Sequence, residues 1–202
     1  MIDILATFIL FFAVIDPIGT VPVFMKVTSQ FDERAKRRIA VKAVLVAGGI
    51  LLFFVVAGEL ILDAMAIPLS AFQIAGGIVL FLFALSMVFG ESKPEQEVKL
   101  AVSITETAIY PLAVPSVAGP GAMLAAVLMT ENVRFGIMEQ AQTAAVIFSV
   151  LLLALLLMLG ATWIHRFIGN SGASIVSRVM GLILASVATE NILVGIKEYF
   201  LL

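Results

Sequence analysis

Six long apolar stretches run along the chain, separated by short polar segments. A helix that crosses a bilayer needs about 20 apolar residues. The stretches are continuous and do not alternate with polar residues, which favours helices over the strands of a membrane barrel. We therefore predict an all-α membrane protein with six transmembrane helices, at Ile4–Met25, Ala43–Leu62, Ala71–Phe89, Ala108–Thr130, Ala141–Ile164 and Val179–Ile196.

The composition supports a membrane protein and argues against an enzyme. The chain is 62% hydrophobic and 13% charged, whereas soluble domains are about 45–50% apolar and about 25% charged. It has one His, no Cys and no HExxH pattern, and no paired acids stand at helical spacing inside a span. Metal-dependent and aspartyl proteolysis therefore lack their residues. We expect no enzymatic activity, no metal, no cofactor and no nucleic-acid partner.

The basic residues predict the orientation in the membrane. All Lys and Arg residues except Arg134 and Lys197 fall in the loops after spans one, three and five. The positive-inside bias then places these loops in the cytoplasm and both termini on the outer side. The run FDERAKRRIA at 31–40 is most simply a topological anchor, and a lipid-headgroup site there is the less favoured alternative.

Proline interrupts two of the spans and indicates a repeat. Spans one and four hold five of the seven prolines, and "DPIG" in span one has a counterpart "GPGA" in span four. Span three and span six both carry glycines, with Gly76 and Gly181 at matching places. Three spans form each unit, so the second unit enters the membrane from the opposite side, as in the inverted repeats of secondary transporters.

This pattern predicts a single transmembrane domain over residues 1–202. Repeat one covers residues 1–90, a cytoplasmic connection covers 91–106, and repeat two covers 107–202. A proline inside a helix removes a backbone donor, and irregular backbone at membrane depth survives only where protein or a wet cavity satisfies it. We therefore expect helices 1 and 4 to be broken near the membrane midplane, with both breaks facing inward.

The two breaks predict a central binding site. Asp followed by Pro matches a helix start, so Asp16 and Pro17 begin one half-helix, and Gly119 and Pro120 begin another. Their N-termini would converge and favour an anionic group such as a carboxylate. Gly19, with its counterparts in span four, would let a ligand approach the backbone. Asp16 is either only a helix cap or a functional acid that receives a substrate ammonium or a coupling proton.

Other residues are weaker candidates for the same site. Glu190 and Asn191 lie inside span six, where an ionisable residue is a candidate for coupling, although snorkelling to the interface is an alternative. Gly76 in span three is a close-packing position that can also lie near the substrate.

The strings "VIDPIGTVPVF" and "PLAVPSVAGPGAM" resemble the MarC family of bacterial and archaeal inner-membrane proteins, and the resemblance covers essentially the whole chain. The family is similar to the LysE superfamily of amino-acid exporters, and the resemblance implies ion-coupled transport of small neutral amino acids such as glycine and alanine. Many members have Asn where this chain has Thr20. The substrate-binding residues that we expect from the motifs are Asp16, Pro17, Gly19, Thr20, Pro22, Pro115, Gly119, Pro120, Gly121 and Ala122, with Gly76, Glu190 and Asn191 beside them.

These observations together predict a secondary transporter in the plasma membrane of a prokaryote. Its expected partners are a small neutral amino acid, H⁺ or Na⁺, and membrane lipids, and assembly into a homo-oligomer is compatible with this interpretation. Asp16 and Glu190 are the candidates for binding the coupling ion. The alternatives are a channel or a protein that handles lipids or isoprenoid phosphates, although the basic residues lie at or beyond the span ends.

Overall fold

The computed structural model describes residues 3–89, 103–132 and 134–200, without the side chains of 164–168, 170 and 173. This part of the chain is helical and contains no strand. Most of the predicted connection at 91–106 lies outside the described residues, and its last three residues, 104–106, begin a helix. The helices are α1 (Ile4–Ile15), α2 (Pro17–Val27), α3 (Glu33–Ala64), α4 (Leu69–Phe89), α5 (Ile104–Thr107), α6 (Pro120–Leu128), α7 (Ile137–Leu159) and α8 (Ala161–Phe200).

Five stretches are long and apolar enough to cross a membrane, and six if the bent pair in span four counts as one. They are Ile4–Val27, Glu33–Ala64, Leu69–Phe89, Ile137–Leu159 and Ser174–Phe200, and the bent pair is Ile104–Val117 with Pro120–Leu128, at 57°. Large apolar side chains such as Leu45 and Val56 are about two-thirds exposed, which suits contact with lipid. The chain is therefore a multi-pass membrane protein.

The helix boundaries differ from the predicted spans, most clearly at the start of α3 and at the end of α7. Helix α3 begins ten residues before the predicted Ala43, because the Asp32 side chain accepts a hydrogen bond from the Ala35 N–H and caps a charged first turn. Helix α7 ends at Leu159 and not at Ile164, and the next helix starts directly after Gly160. Helix α8 contains one non-helical residue, Gly169, with φ of +62°.

Helices α4 and α8 form the most extensive contact of the described bundle and run antiparallel. Glycines make this contact close. A Cβ at Gly181 would lie 2.9 Å from the Ala84 carbonyl oxygen, and one at Gly195 would lie 2.9 Å from the Ser70 carbonyl oxygen. Small residues at helix interfaces are the usual means of close packing in membranes.

The two ends of the bundle differ in charge. The basic end holds residues 26–38, where α2 ends and α3 begins, and the acidic end holds Glu59, Glu131 and Glu198. Between them, α1 and α2 pack against α6, α7, α8 and the kinked segment Ala108–Val117, which contains the extended residues Tyr110 and Val114.

Candidate functional site

Asp16 separates α1 from α2. Its backbone is left-handed, with φ of 48° and ψ of 65°, and its N–H donates to the Phe12 carbonyl oxygen at 3.0 Å. Its Oδ1 accepts a hydrogen bond from the Gly19 N–H at 2.9 Å, and Pro17 is the first residue of α2. Asp adopts the left-handed region more readily than most residues. Asp16 therefore ends α1 and caps α2, which is the predicted helix start.

The Asp16 carboxylate is buried and reaches a second element. The residue is 3% exposed, and its Oδ2 accepts a hydrogen bond from the Ser177 Oγ of α8 at 3.3 Å. Twelve helical residues precede it and eleven follow it in the first span. An ionisable side chain is thus held inside the bundle, roughly 16–18 Å along the helix axis from either end of that span.

Thr20 and Ser116 connect the first interruption to the second. The Thr20 Oγ1 donates to the Asp16 carbonyl oxygen at 3.0 Å and lies 3.4 Å from the Ser116 Oγ. Both side chains are buried. A Cβ at Gly121 would lie 3.6 Å from the Val14 Cγ1, so the start of α6 also adjoins the end of α1. The structure therefore brings the two proline-containing interruptions together.

The two half-helix starts differ in how they are capped. Helix α6 begins at Pro120 with Gly119 as N-cap, and no side chain caps it. Gly121 and Ala122, in its first turn, are buried, whereas Pro120 is exposed. The first N–H groups of a helix have no partner inside it and favour anions. The start of α6 therefore offers donors next to the polar group of Asp16, Thr20 and Ser116.

The glycines of the motifs make room for protein atoms in this conformation. A Cβ at Gly19 would lie 1.9 Å from the Asp16 Oδ2, and one at Gly119 would lie 2.8 Å from the Pro115 carbonyl oxygen. A Cβ at Gly121 would lie 2.7 Å from the Leu80 Cδ1. We expected these glycines to open the backbone to a ligand. The space beside each of them is filled by its neighbours, because the interruptions are packed tightly.

The structure does not bring the weaker candidates to Asp16. Glu190 is exposed, and the half-buried Asn191 accepts a hydrogen bond from the Gln73 Nε2 at 3.4 Å. Since α8 rises about 1.5 Å per residue, Glu190 lies about 20 Å along the helix from Ser177. Gly76 packs against Leu124 of α6: a Cβ added at Gly76 would lie 2.2 Å from the Leu124 Cδ1. Pro22 lies inside α2 and is half-buried, as is Pro115 in the kinked segment.

Two residues of this site are missing from the sequence-based expectation. Ser177 precedes the predicted start of span six at Val179. It was missed because the adjacent Arg178 indicates the membrane–water interface and not the interior of a span. Ser116 stands inside the span-four motif, and its position between Pro115 and Gly119 was the available signal. A hydroxyl side chain within a proline-interrupted span is thus a signal for a residue of the polar site.

A second polar cluster lies at the acidic end. Arg134 pairs with Glu198 of α8, and its Nε lies 3.1 Å from the Glu131 Oε2 without hydrogen-bond geometry. The Glu59 Oε2 accepts a hydrogen bond from the Asn132 N–H at 2.8 Å. Burial raises the pKa of Glu131 above its ordinary value, and Glu59 and Glu198 add to that rise, while Arg134 opposes it. The cluster joins α3, α8 and the loop after α6.

Replacing Glu131 by Gln should change how stability depends on pH. Because the folded pKa is raised, the folded state holds this proton more tightly than the unfolded chain does, and stability falls as pH rises from about 4.5 through the folded pKa. Glu131→Gln removes that loss. The Tm of the variant minus the Tm of the wild type in detergent should therefore increase between pH 4 and pH 7. A difference that is constant across this range would contradict the assignment.

No metal site is evident in the described part of the chain. No group of three or more His, Cys, Asp or Glu side chains among these residues has an arrangement that could hold a metal ion.

Comparison with known proteins identifies relatives along the whole chain. A family model described as "MarC family integral membrane protein" matches residues 1–200. A UPF0056 membrane protein of Methanocaldococcus jannaschii is 38% identical over 197 residues, which cover 92% of each chain. The UPF0056 inner membrane protein YhgN of Escherichia coli is 31% identical over 202 residues, 98% of each chain. No solved structure matches. The chain belongs to the MarC family of integral membrane proteins.

Proposed function

We propose that the protein is a secondary transporter of small neutral amino acids, coupled to an ion gradient, and not an enzyme. The observation that carries the proposal is the buried Asp16 carboxylate at an interruption of the first span, beside the uncapped start of α6. Ionisable residues inside membrane spans mark substrate or ion pathways by default. Half-helix starts at membrane depth are a common device for binding anionic substrate groups in transporters.

The chemistry of the two half-helix starts fits an amino acid. The substrate carboxylate would bind the first-turn N–H groups of α6 at Gly121 and Ala122, which have no side-chain cap. The substrate ammonium would bind the Asp16 Oδ2 in place of the Ser177 hydroxyl, while the Oδ1 continues to cap α2. The site is crowded by Leu80, Val14 and the Pro115 carbonyl oxygen, which favours a very small side chain on the substrate.

The proposed mechanism is alternating access. Asp16, Thr20, Ser116 and Ala122 are all buried, so this conformation is an occluded one and a substrate can enter only after helices separate. The Ser177–Asp16 contact ties α8 to the interruption and would break on opening. Two inverted three-helix repeats, with both termini on the outer side, would supply the two equivalent opened states. The antiparallel contact of α4 and α8 is compatible with that symmetry.

Asp16 is also the proposed site of coupling. Glu190 lies far from it along α8 and is exposed, so one residue would serve both the substrate and the coupling ion. Binding H⁺ or Na⁺ at Asp16 in the absence of substrate would neutralise a buried charge that is otherwise costly. If the ion and the substrate ammonium compete for this one carboxylate, the protein exchanges the ion for the substrate across the membrane. If the ion binds at a neighbouring oxygen while the substrate is bound, the two are transported together as a symport.

Uptake by purified protein in liposomes tests the function. Vesicles containing the protein should accumulate radiolabelled glycine or alanine under an imposed pH or sodium gradient and should not do so when the gradient is collapsed. A known amino-acid transporter reconstituted in parallel controls for vesicle integrity. If glycine, alanine and serine all fail to accumulate under either gradient in either direction, the proposal is wrong.

A further inference from the structure

A cavity of about 50 Å³ lies at the basic end, away from the interruptions. Its lining comes from the end of α2, the start of α3, the end of α7 and the start of α8. A water needs about 10–15 Å³ of such volume, so the cavity has room for a few waters or for one phosphate-sized group. None of the residues that surround Asp16 lines it.

The cavity has one apolar side and one basic side. Phe24 and Met158 belong to the apolar side. Lys36 and Arg37 belong to the basic side, which also includes the acid Glu33. Lys36 forms an ion pair with Glu33 at 2.8 Å, whereas Arg37 forms no ion pair with any residue that the structure describes. The Arg37 guanidinium lies beside the cavity, and a planar guanidinium can bind phosphate in a bidentate manner.

The surrounding charge has the same sign. The segment from Lys26 to Lys42 contains six basic residues and only two acids, Asp32 and Glu33. Basic clusters directly beside a transmembrane helix attract anionic lipids by roughly 1 kcal/mol per residue near the surface. The positive end of the α3 dipole adds to the attraction. A cavity that joins an apolar lining to a mainly basic one matches a phospholipid, whose headgroup is charged and whose acyl chains are apolar.

We propose that this cavity binds the headgroup of an anionic phospholipid from the leaflet at the basic end. The phosphate lies against Arg37, with Thr28 and Thr162 nearby, and the upper acyl carbons lie against Phe24 and Met158. A free phosphate ion would use the basic side but not the apolar side. Because α2, α3, α7 and α8 all meet here, a bound lipid holds the ends of four helices together. The site is independent of the transported substrate.

The test uses delipidated full-length protein in a neutral detergent. Phosphatidylglycerol should raise the Tm in a saturable manner, and native mass spectrometry should show it bound. Phosphatidylcholine with the same acyl chains should do neither, and inorganic phosphate alone should have little effect. Arg37→Gln should increase the half-saturating concentration of phosphatidylglycerol roughly tenfold. Arg38→Gln, the same change on an exposed neighbour that does not line the cavity, should alter it less than about twofold.

A second variant separates the cavity from the general surface charge. Thr162→Phe leaves every charge in place and fills part of the cavity, so it should also weaken phosphatidylglycerol binding. Three results would overturn the proposal: equal stabilisation by phosphatidylcholine, equal stabilisation by inorganic phosphate, or equal losses in the Arg37 and Arg38 variants. Unchanged binding by Thr162→Phe would overturn it as well.

Discussion

Replacing Asp16 by Asn is expected to reduce coupled uptake severely while leaving the protein folded. Asn adopts the left-handed backbone and caps helices about as well as Asp does, so the 2.9 Å bond from the Gly19 N–H is kept. The charge is lost, and the second carboxylate oxygen becomes an NH2 group, which can donate to the Ser177 hydroxyl instead of accepting from it. Because a hydrogen bond to a charged group contributes about 1.5–3 kcal/mol, loss of the carboxylate should reduce uptake roughly 10–100-fold.

The matched control is Asp3→Asn. Asp3 caps α1 by accepting hydrogen bonds from the Leu5 and Ala6 N–H groups, but it lies at the exposed start of the span. This variant repeats the chemical change at a helix cap outside the interruptions. Uptake and Tm should be measured for both at equal reconstituted amounts. If Asp16→Asn transports as well as Asp3→Asn and the wild type, Asp16 is a helix cap and nothing more.

The local helix signals of the sequence predict much of this arrangement. Asp before Pro17 predicts the start of α2, because the cap and the first turn depend on adjacent residues. Gly119 before Pro120 predicts the start of α6 in the same way. The all-helical class follows from continuous apolar stretches, since lipid leaves the backbone few other means of satisfying its hydrogen bonds.

Contacts between residues that are far apart in the chain could not be predicted from the sequence. The Ser177–Asp16 bond depends on how α8 packs against the interruption, and no periodicity encodes that distance. The apparent space at Gly19 was misjudged for the same reason, because its occupant is the carboxylate of Asp16 itself. The cluster of Glu59, Glu131 and Glu198 with Arg134 likewise joins residues from three separate parts of the chain.

Gly19→Ala should destabilise the protein and abolish uptake. Its Cβ would lie 1.9 Å from the Asp16 Oδ2, 2.6 Å from the Asp16 Cγ and 2.8 Å from the Ser177 Oγ. The Asp16 side chain is short and held by the Gly19 N–H, so it can yield only by giving up its cap or by displacing α8. Overpacking of this kind costs about 1–3 kcal/mol, more than the roughly 1 kcal/mol that Ala gains over Gly inside a helix.

Gly49→Ala makes the same substitution where there is room. Gly49 lies inside α3, and no atom of a neighbouring residue lies within 4 Å of the Cβ that it would gain. Helix propensity should therefore act alone, and Gly49→Ala should raise stability by up to about 1 kcal/mol without changing uptake. Stability to denaturation in detergent and uptake in liposomes should both decrease for Gly19→Ala. For Gly49→Ala, stability should rise and uptake should stay unchanged. If Gly19→Ala is as stable and active as Gly49→Ala, the Asp16 carboxylate has space to move, and the packed interruption is not what positions it.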